Sequence, residues 1–324
     1  MQFSDYFFMP LDEIRDEDLV DVDRCGCCGA KNAFRQLRLF REKPQIHFVK
    51  CRRCGAVTYD RMLRKEKLDE VYEKYNYLDN DEKDHTGDKI TFYGKERFAR
   101  HLMKMMKPLP EQNKIRILDF GGGDGSLSYA LGESIMQTGR YDSVEIVVVD
   151  YTDTPCVSKE KNISLTHCFP LSALPADELF DIVIASAVLE HLPSPGREFR
   201  QLVDLTALGG YLYFRSPYKY PLYCLMKRLG ITLDMRYPRH IWDFSSSWWH
   251  RIVVCLHLED QLTVVKDGPS ITEKTMKDHF LMAIGANLLK APGRVTRRWH
   301  YVGGWEILYR KTADKKRKQN ENKA

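Results

Sequence analysis

No stretch of this 324-residue chain reaches the roughly 18 apolar residues that a membrane-spanning helix needs. The longest candidates, Tyr220 to Ile231 and Ile252 to Leu256, are broken by charge or far too short, so a soluble protein is expected. The N-terminal residues, MQFSDYFFMPLDEIRDEDL, have no basic start and no continuous apolar core followed by small residues, which argues against a secretory signal. Nine cysteines then belong by default to a reducing, cytoplasmic setting, and an odd count containing two tight pairs disfavours a disulfide framework. Internal repeats and long linkers are also absent, which leaves room for one large α/β domain and a small accessory module.

Charge of neither sign dominates the chain, whose formal net charge is +5, but it is sorted into blocks. Met1 to Asp23 hold eight acids against one base and form an acidic N-terminal arm (1–23), whereas Arg24 to Lys67 hold thirteen bases against three acids. From Lys311 to Ala324, six bases face two acids in a polar stretch that reads as a basic disordered tail (311–324). A basic face suits nucleic acid, a nucleotide diphosphate, the acidic arm of the same chain or water alone, so the blocks leave the partner open.

What the basic block does contain is Cys25-x-x-Cys28-Gly and Cys51-x-x-Cys54-Gly, two turns 22 residues apart. That spacing lets two knuckles place four thiolates tetrahedrally around Zn²⁺, with Cys27 as a surplus thiol. A closed four-cysteine site leaves no open position, so the metal is expected to be structural, and so small a module (24–64) depends on it to fold. Cys156, Cys168, Cys224 and Cys255 are assigned to core or surface.

A helical connector (65–112) follows, with Leu68, Val71, Tyr72, Tyr75 and Leu78 at helical spacing and a second pattern around Phe98, Leu102 and Met106. From Lys114 onward, short apolar runs alternate with helix-length segments: IRILDF, VEIVVVD, FDIVIASAV and GGYLYFRSP. This is the pattern of a parallel sheet covered by helices. QLTVVKDG and GGWEILYRK supply the last two strands, with Ser245 to Leu256 and Thr272 to Leu289 as helices, in a domain spanning 113–310.

The most informative segment is ILDFGGGDGSLSYA, where an apolar strand runs into Gly121, Gly122, Gly123 and Gly125 before a helix. Glycine allows a sharp turn and close approach to a ligand. A dinucleotide fingerprint starting at Gly121 wants glycine where this chain has Ser126, and no G-K-[ST] follows for a phosphate loop. Asp119 at the strand end would repel a pyrophosphate but suits a cationic ligand. Asp150, ending VEIVVVD, is placed to accept hydrogen bonds from ribose hydroxyls.

Over Lys114 to Pro217 the sequence resembles the class I S-adenosylmethionine-dependent methyltransferases. ILDFGGGDG is similar to their first motif and VVVD to their second. FDIVIASAVLEHLPSPGREFRQLVDLTALGGYLYFRSP is similar to the stretch from the fourth strand through the next helix into the fifth. The resemblance implies an α/β, Rossmann-like domain with a mostly parallel seven-stranded sheet, carrying a small N-terminal zinc ribbon. S-adenosylmethionine would be held by Asp119, Gly121, Gly123, Gly125, Asp150, Tyr151, Phe169, Leu171 and Ser186. Where many members carry an acid after the third strand, this chain reads HCFPLSALP, so adenine contacts fall to the backbone or to Phe169 and Leu171. The ribbon and the tyrosine-rich LDEVYEKYNY further resemble a bacterial subset that methylates sugars or natural products; the sugar enzymes usually carry a further C-terminal domain, whereas the expected last strands use most of the 107 residues after Pro217.

Glu190 and His191 follow the fourth strand at the ligand-bearing end of the sheet, which makes them the candidate catalytic pair. His191 is either a base near neutral pH or a packed, inert ring. Arg215, Tyr218, Lys219 and Tyr220, then RYPRHIWDF, form a candidate acceptor lid (218–244), with Arg236, His240 and Trp242 nearest an anionic or planar acceptor. A small-molecule acceptor is the leading expectation. RNA methylation is the alternative that the basic ribbon and tail suggest, but the D/N-P-P-aromatic turn and the Pro-Cys nucleophile of nucleic-acid enzymes are missing. A non-catalytic, zinc-dependent interaction module is the third reading.

Overall fold

The structure is a computed structural model and describes residues 14–68, 70, 94–151, 160–175, 177–231, 233–271, 280–296 and 299–314. Seven strands form the central sheet: β6 (Lys114–Phe120), β7 (Ser143–Val149), β8 (Ile163–Cys168), β9 (Phe180–Ser186), β10 (Thr206–Tyr218), β11 (Leu262–Pro269) and β12 (Gly303–Lys311). Their order is β11-β12-β10-β9-β6-β7-β8. Strands β6 to β10 run parallel, and β12 lies antiparallel between β10 and β11. β6, β7 and β9 are buried over most of their length, which is why they read as continuous apolar runs and not as alternating ones.

Two apolar layers sandwich this sheet. On one face α1 (Lys95–Met105) and α2 (Ser126–Met136) pack Phe98, Leu102, Leu131 and Ile135 against Ile146, Ile182 and Tyr213. On the other, α3 (Pro195–Asp204) and α5 (Ser246–Cys255) set Phe199, Trp248 and Trp249 against Phe214 and Tyr309. The chain winds outward from β6 through β7 to β8, then returns through β9 to β10 on the other side. The sheet therefore has its topological switch between β6 and β9, where open α/β sheets leave a ligand crevice at the carboxyl ends of the strands.

The cysteine module is a three-stranded antiparallel sheet of β2 (Phe34–Arg41), β3 (Ile46–Cys51) and β4 (Val57–Tyr59). It does not stand apart. Cys25, Cys51 and Cys54 belong to the same apolar cluster as Leu118, Phe214 and Trp242 of the large domain. A second cluster joins Phe48 and Tyr59 of the ribbon to Tyr223 and Tyr237, with ring centroids 5.1 Å apart for Phe48–Tyr223 and 4.5 Å for Tyr59–Tyr237. Tyr223 lies on α4 (Tyr220–Arg228).

Contact at the first knuckle is close enough to require glycine on both sides. A Cβ on Gly26 would lie 2.1 Å from the Pro193 carbonyl oxygen, and one on Gly196 would lie 1.8 Å from that of Cys27. Gly196→Ala is therefore expected to force ribbon and domain apart and to cost about 1–3 kcal/mol. Thermal unfolding reads this directly, and an unchanged midpoint would contradict the close-contact account.

Several boundaries differ from those expected. The described part of the acidic arm, residues 14–23, is not separate, because β1 (Leu19–Asp21) pairs with β5 (Arg61–Leu63) beside the ribbon and Arg61 reaches Asp16 at 2.5 Å. The tail begins later than Lys311, whose ammonium is buried on the Thr206 carbonyl at 2.7 Å. Residues 315–324, Cys156 and all of the tyrosine-rich segment except Leu68 and Glu70 lie outside the described residues. The last expected helices are α5 and α6 (Phe280–Val295), the latter beginning after 272–279, which are also outside them. Among the described residues, no helix is long and apolar enough to cross a membrane.

Candidate active site and metal centre

The glycine loop hangs from the end of β6 at the switch point. Gly121 and Gly125 have φ of 70° and 77°, and a Cβ would meet Val188 at 2.5 Å in the first case and Leu165 at 2.8 Å in the second. The loop thus packs on the turn after β9 and on β8 in a backbone conformation that glycine adopts without strain. Its centre is pinned by Asp150, whose Oδ2 accepts the Gly123 N–H at 2.8 Å.

Asp119 lies beneath this loop and is almost fully buried, with Oδ2 lacking any hydrogen-bond partner. Burial pushes its carboxyl up to about 7, and the nearby Asp150 and Asp124 carboxylates add to the shift against a hydrogen bond from Ser128. A buried carboxyl in this position lacks a positive partner. At the ends of β7 and β8, the exposed rings of Tyr151 and Phe169 stand 4.0 Å apart, Leu171 is buried below, and the Ser186 hydroxyl at the end of β9 is buried without a partner.

Glu190 and His191 sit in a single 3₁₀ turn, Leu189–His191, three residues beyond β9. Glu190 is fully buried, neither carboxylate oxygen has a partner, and burial raises its pKa to about 8 against the opposing pull of Arg215, Lys219 and Arg236. His191 Nδ1 lies 3.0 Å from the Arg239 carbonyl, and burial together with Arg239 and Arg236 lowers the ring to about 3. The imidazole is therefore neutral and only weakly basic, and of the two readings open from sequence this favours the packed ring over the near-neutral base. His240 stands against it, ring centroids 4.6 Å apart and planes at 90°, and burial also holds it neutral.

The segment expected to form a lid is clamped. Val57 and Asp243 exchange backbone hydrogen bonds of 3.1 and 2.9 Å, the Thr58 hydroxyl donates to the Ile241 carbonyl at 2.6 Å, and the Trp242 indole N–H donates to Leu192 at 2.8 Å. Ile241 and Trp242 N–H groups both reach the Glu190 carbonyl, at 2.9 and 3.2 Å. The ribbon, the 218–244 segment and the Leu189–His191 turn are consequently one hydrogen-bonded assembly. A small crevice with a cavity volume of about 10 Å³, room for about one water, opens there, lined by Phe48, Thr58 and Tyr59 of the ribbon and by Lys219, Met235 and His240. Of the three residues expected nearest the acceptor, His240 and Trp242 line the crevice, while Arg236 is exposed with φ of 59°.

Asp243 escaped the sequence reading. Its Oδ2 accepts the backbone N–H groups of Lys219 and Tyr220 at 2.6 and 3.1 Å, anchoring the start of α4, while Oδ1 is buried unpartnered and burial raises the carboxyl to about 6. Only the acid within RYPRHIWDF could have signalled it.

In the ribbon, Sγ atoms lie 3.6 Å apart for Cys25–Cys54 and 3.7 Å for Cys28–Cys51, and all four fall within 4.8 Å of one another. A thiolate tetrahedron around zinc has edges of about 3.8 Å, from Zn–S bonds of about 2.3 Å, so the quartet has the size zinc requires. Cys27 is buried in the same apolar cluster but is not one of the quartet, in keeping with a packed side chain.

A family model described as a methyltransferase domain matches residues 92–253, half of the chain. The protein belongs to this methyltransferase-domain family. Among solved structures, the plantazolicin methyltransferase BpumL in complex with SAH is similar at 14% identity, covering 77% of this chain and 90% of that one with a TM-score of 0.43. Magnesium protoporphyrin IX methyltransferase from Synechocystis PCC 6803 with bound SAH is similar at 14% identity over 76% and 97%, with a TM-score of 0.45. A putative methyltransferase in complex with the Haloferax volcanii Trm112 activator is similar at 13% over 69% and 100%, with a TM-score of 0.42. No curated protein matches the chain.

Proposed function

We propose that the protein transfers the methyl group of S-adenosylmethionine to a small-molecule acceptor, with structural zinc in the four-cysteine ribbon. The observation that carries this reading is Asp119, a buried carboxyl with an unpartnered oxygen beneath the glycine loop at the switch point of a methyltransferase-family sheet. A cationic amino-acid end of the cofactor supplies the missing partner. In this assignment Gly121, Gly123 and Gly125 admit the cofactor, Asp150 takes the ribose hydroxyls, Tyr151, Phe169 and Leu171 flank the adenine, and Ser186 borders the sulfonium. The carboxylate of Asp150 has lone pairs beyond the one engaged by Gly123, so one acid can tie the loop and hold the ribose.

Methyl transfer from a sulfonium is an in-line displacement, in which the protein positions the acceptor and, where required, takes its proton. The acceptor is assigned to the turn bearing Glu190 and His191, the proposed catalytic pair, next to the small crevice between ribbon and lid that His240 lines. Asp150→Ala is expected to abolish cofactor binding while leaving the thermal unfolding transition in place. A wild-type protein that binds no cofactor would instead support a non-catalytic interaction module.

The pH dependence follows from Asp119. A cation binds its ionised form, so with a free-protein pKa of about 7, cofactor affinity rises as pH passes from about 6 to about 8 and then levels off. Calorimetry in buffers of different ionisation enthalpy should find a proton released on binding below that range. Binding that is independent of pH and buffer would contradict the assignment.

A further inference from the structure

Glu190, His191 and His240 each offer a ligand atom, and the three atoms lie within 4.8 Å of one another. Their placement is fixed by the backbone, since the N–H groups of Ile241 and Trp242, the two residues after His240, both donate to the carbonyl of Glu190. The His191 ring is oriented as well. A backbone carbonyl only accepts, so Nδ1, 3.0 Å from the Arg239 oxygen, carries the proton, and the lone pair resides on Nε2. This is how a metal-bound imidazole is held by its second nitrogen. Glu190, fully buried, keeps both oxygens without a hydrogen-bond partner, and such a group calls for a ligand that is not among the protein's own donors.

Two imidazoles and one carboxylate form a donor set suited to first-row transition ions, and three protein ligands leave coordination positions open. The surroundings narrow the choice. Arg215, Lys219, Arg236 and Arg239 lie close enough to act on the cluster electrostatically. This positive field disfavours a hard, hydrated dication held by charge alone and leaves the advantage to an ion that imidazole nitrogen binds strongly. We propose that Glu190, His191 and His240 hold a divalent first-row transition ion beside the assigned acceptor site, separate from the ribbon zinc. The open positions receive an oxygen of the acceptor, and the surrounding cations favour that oxygen in anionic form. Ion binding stands on these three residues alone, whereas its part in transfer rests on the methyltransferase reading.

Cobalt titration of the full-length protein, isolated with its ribbon zinc, tests the site. The expected result is one further Co²⁺ per chain after gel filtration, with ligand-field absorption and no thiolate-to-cobalt charge-transfer band. Glu190→Gln and His240→Ala should each weaken that binding by at least about 10-fold while the ribbon zinc, measured by elemental analysis, stays bound. Retained zinc together with an unchanged thermal unfolding midpoint reports that each variant is folded. Failure of the wild type to take up cobalt, uptake only with a thiolate band, or equal uptake by both variants would overturn the proposal. Cofactor affinity measured on the same samples reports separately on the methyltransferase reading, so the two can fail independently.

Discussion

Cys54→Ser is expected to abolish methyl transfer while leaving cofactor affinity within about 10-fold of wild type, a consequence of where the ribbon docks. Zinc binding at a four-thiolate site supplies about 10–16 kcal/mol of folding free energy to modules of this kind, and three thiolates do not retain it. The ribbon is one wall of the crevice beside the proposed acceptor site and the hydrogen-bonding partner of Ile241 and Asp243, so its collapse removes the support of the 218–244 segment and of the turn bearing Glu190 and His191. Asp119 and Asp150 stand on or just beyond β6 and β7, strands held by the central sheet, and the glycine loop between them packs on Val148 of β7 and Leu165 of β8, with only its Gly121 end on Val188 at the start of that turn. Metal content, cofactor affinity and transfer rate measured on one preparation separate these effects. A variant that loses zinc yet still transfers methyl groups at the wild-type rate would mean that the ribbon takes no part in the acceptor site.

Asp119→Asn should move stability and binding in opposite directions. In the free protein the buried carboxyl has no positive partner, and its pKa, raised from 3.8 to about 7, means that the folded state binds more protons than the unfolded chain between those values. Free-protein stability therefore falls as pH rises through about 4 to 7, by the sign of proton linkage. Asparagine removes that ionisation, so the variant is expected to unfold at the same or a higher temperature than wild type at neutral pH. Its cofactor affinity should fall by about 100-fold, the lower part of the 2–5 kcal/mol that losing one side of a buried charged pair costs. Such a trade of stability against function is usual for a group placed for a ligand. A variant with lower stability and unchanged affinity would make Asp119 a structural residue.

Features carried by one local pattern were legible in the chain. β6, β7 and β9 are short apolar runs, the glycine loop sits between strand and helix, and the cysteine pairs have the spacing of two knuckles; the structure has each in place. The two antiparallel strands at the C-terminal end and α5 were equally readable from composition and period. What the sequence did not display depends on partners far apart in the chain. Thr58 meets Ile241 across 183 residues, and Val57 pairs with Asp243 through a single bridge without periodicity, so the lid reads as a loop although it is clamped. β1 and β5 have three residues each, too few for an alternation to register. His240 could be named as a residue near the acceptor, but its place beside Glu190 and His191 arises from backbone hydrogen bonds that no motif encodes. The choice between a basic and a packed His191 was open in the sequence for a related reason, since burial and neighbouring arginines set its pKa, and neither is visible in LEHL.

Methyl transfer itself is the central claim, and the direct measurement is transfer of an isotopic methyl group from S-adenosylmethionine into a cleared extract. Nuclease digestion, protease digestion and small-molecule chromatography of the product then identify the acceptor class. The expected result is label in a small species resistant to both digestions, and about 100-fold less of it with Asp119→Asn when the cofactor is well below its dissociation constant. Label released by nuclease would replace the small-molecule acceptor with RNA, and no label in any fraction from a protein that binds the cofactor would contradict turnover in that extract.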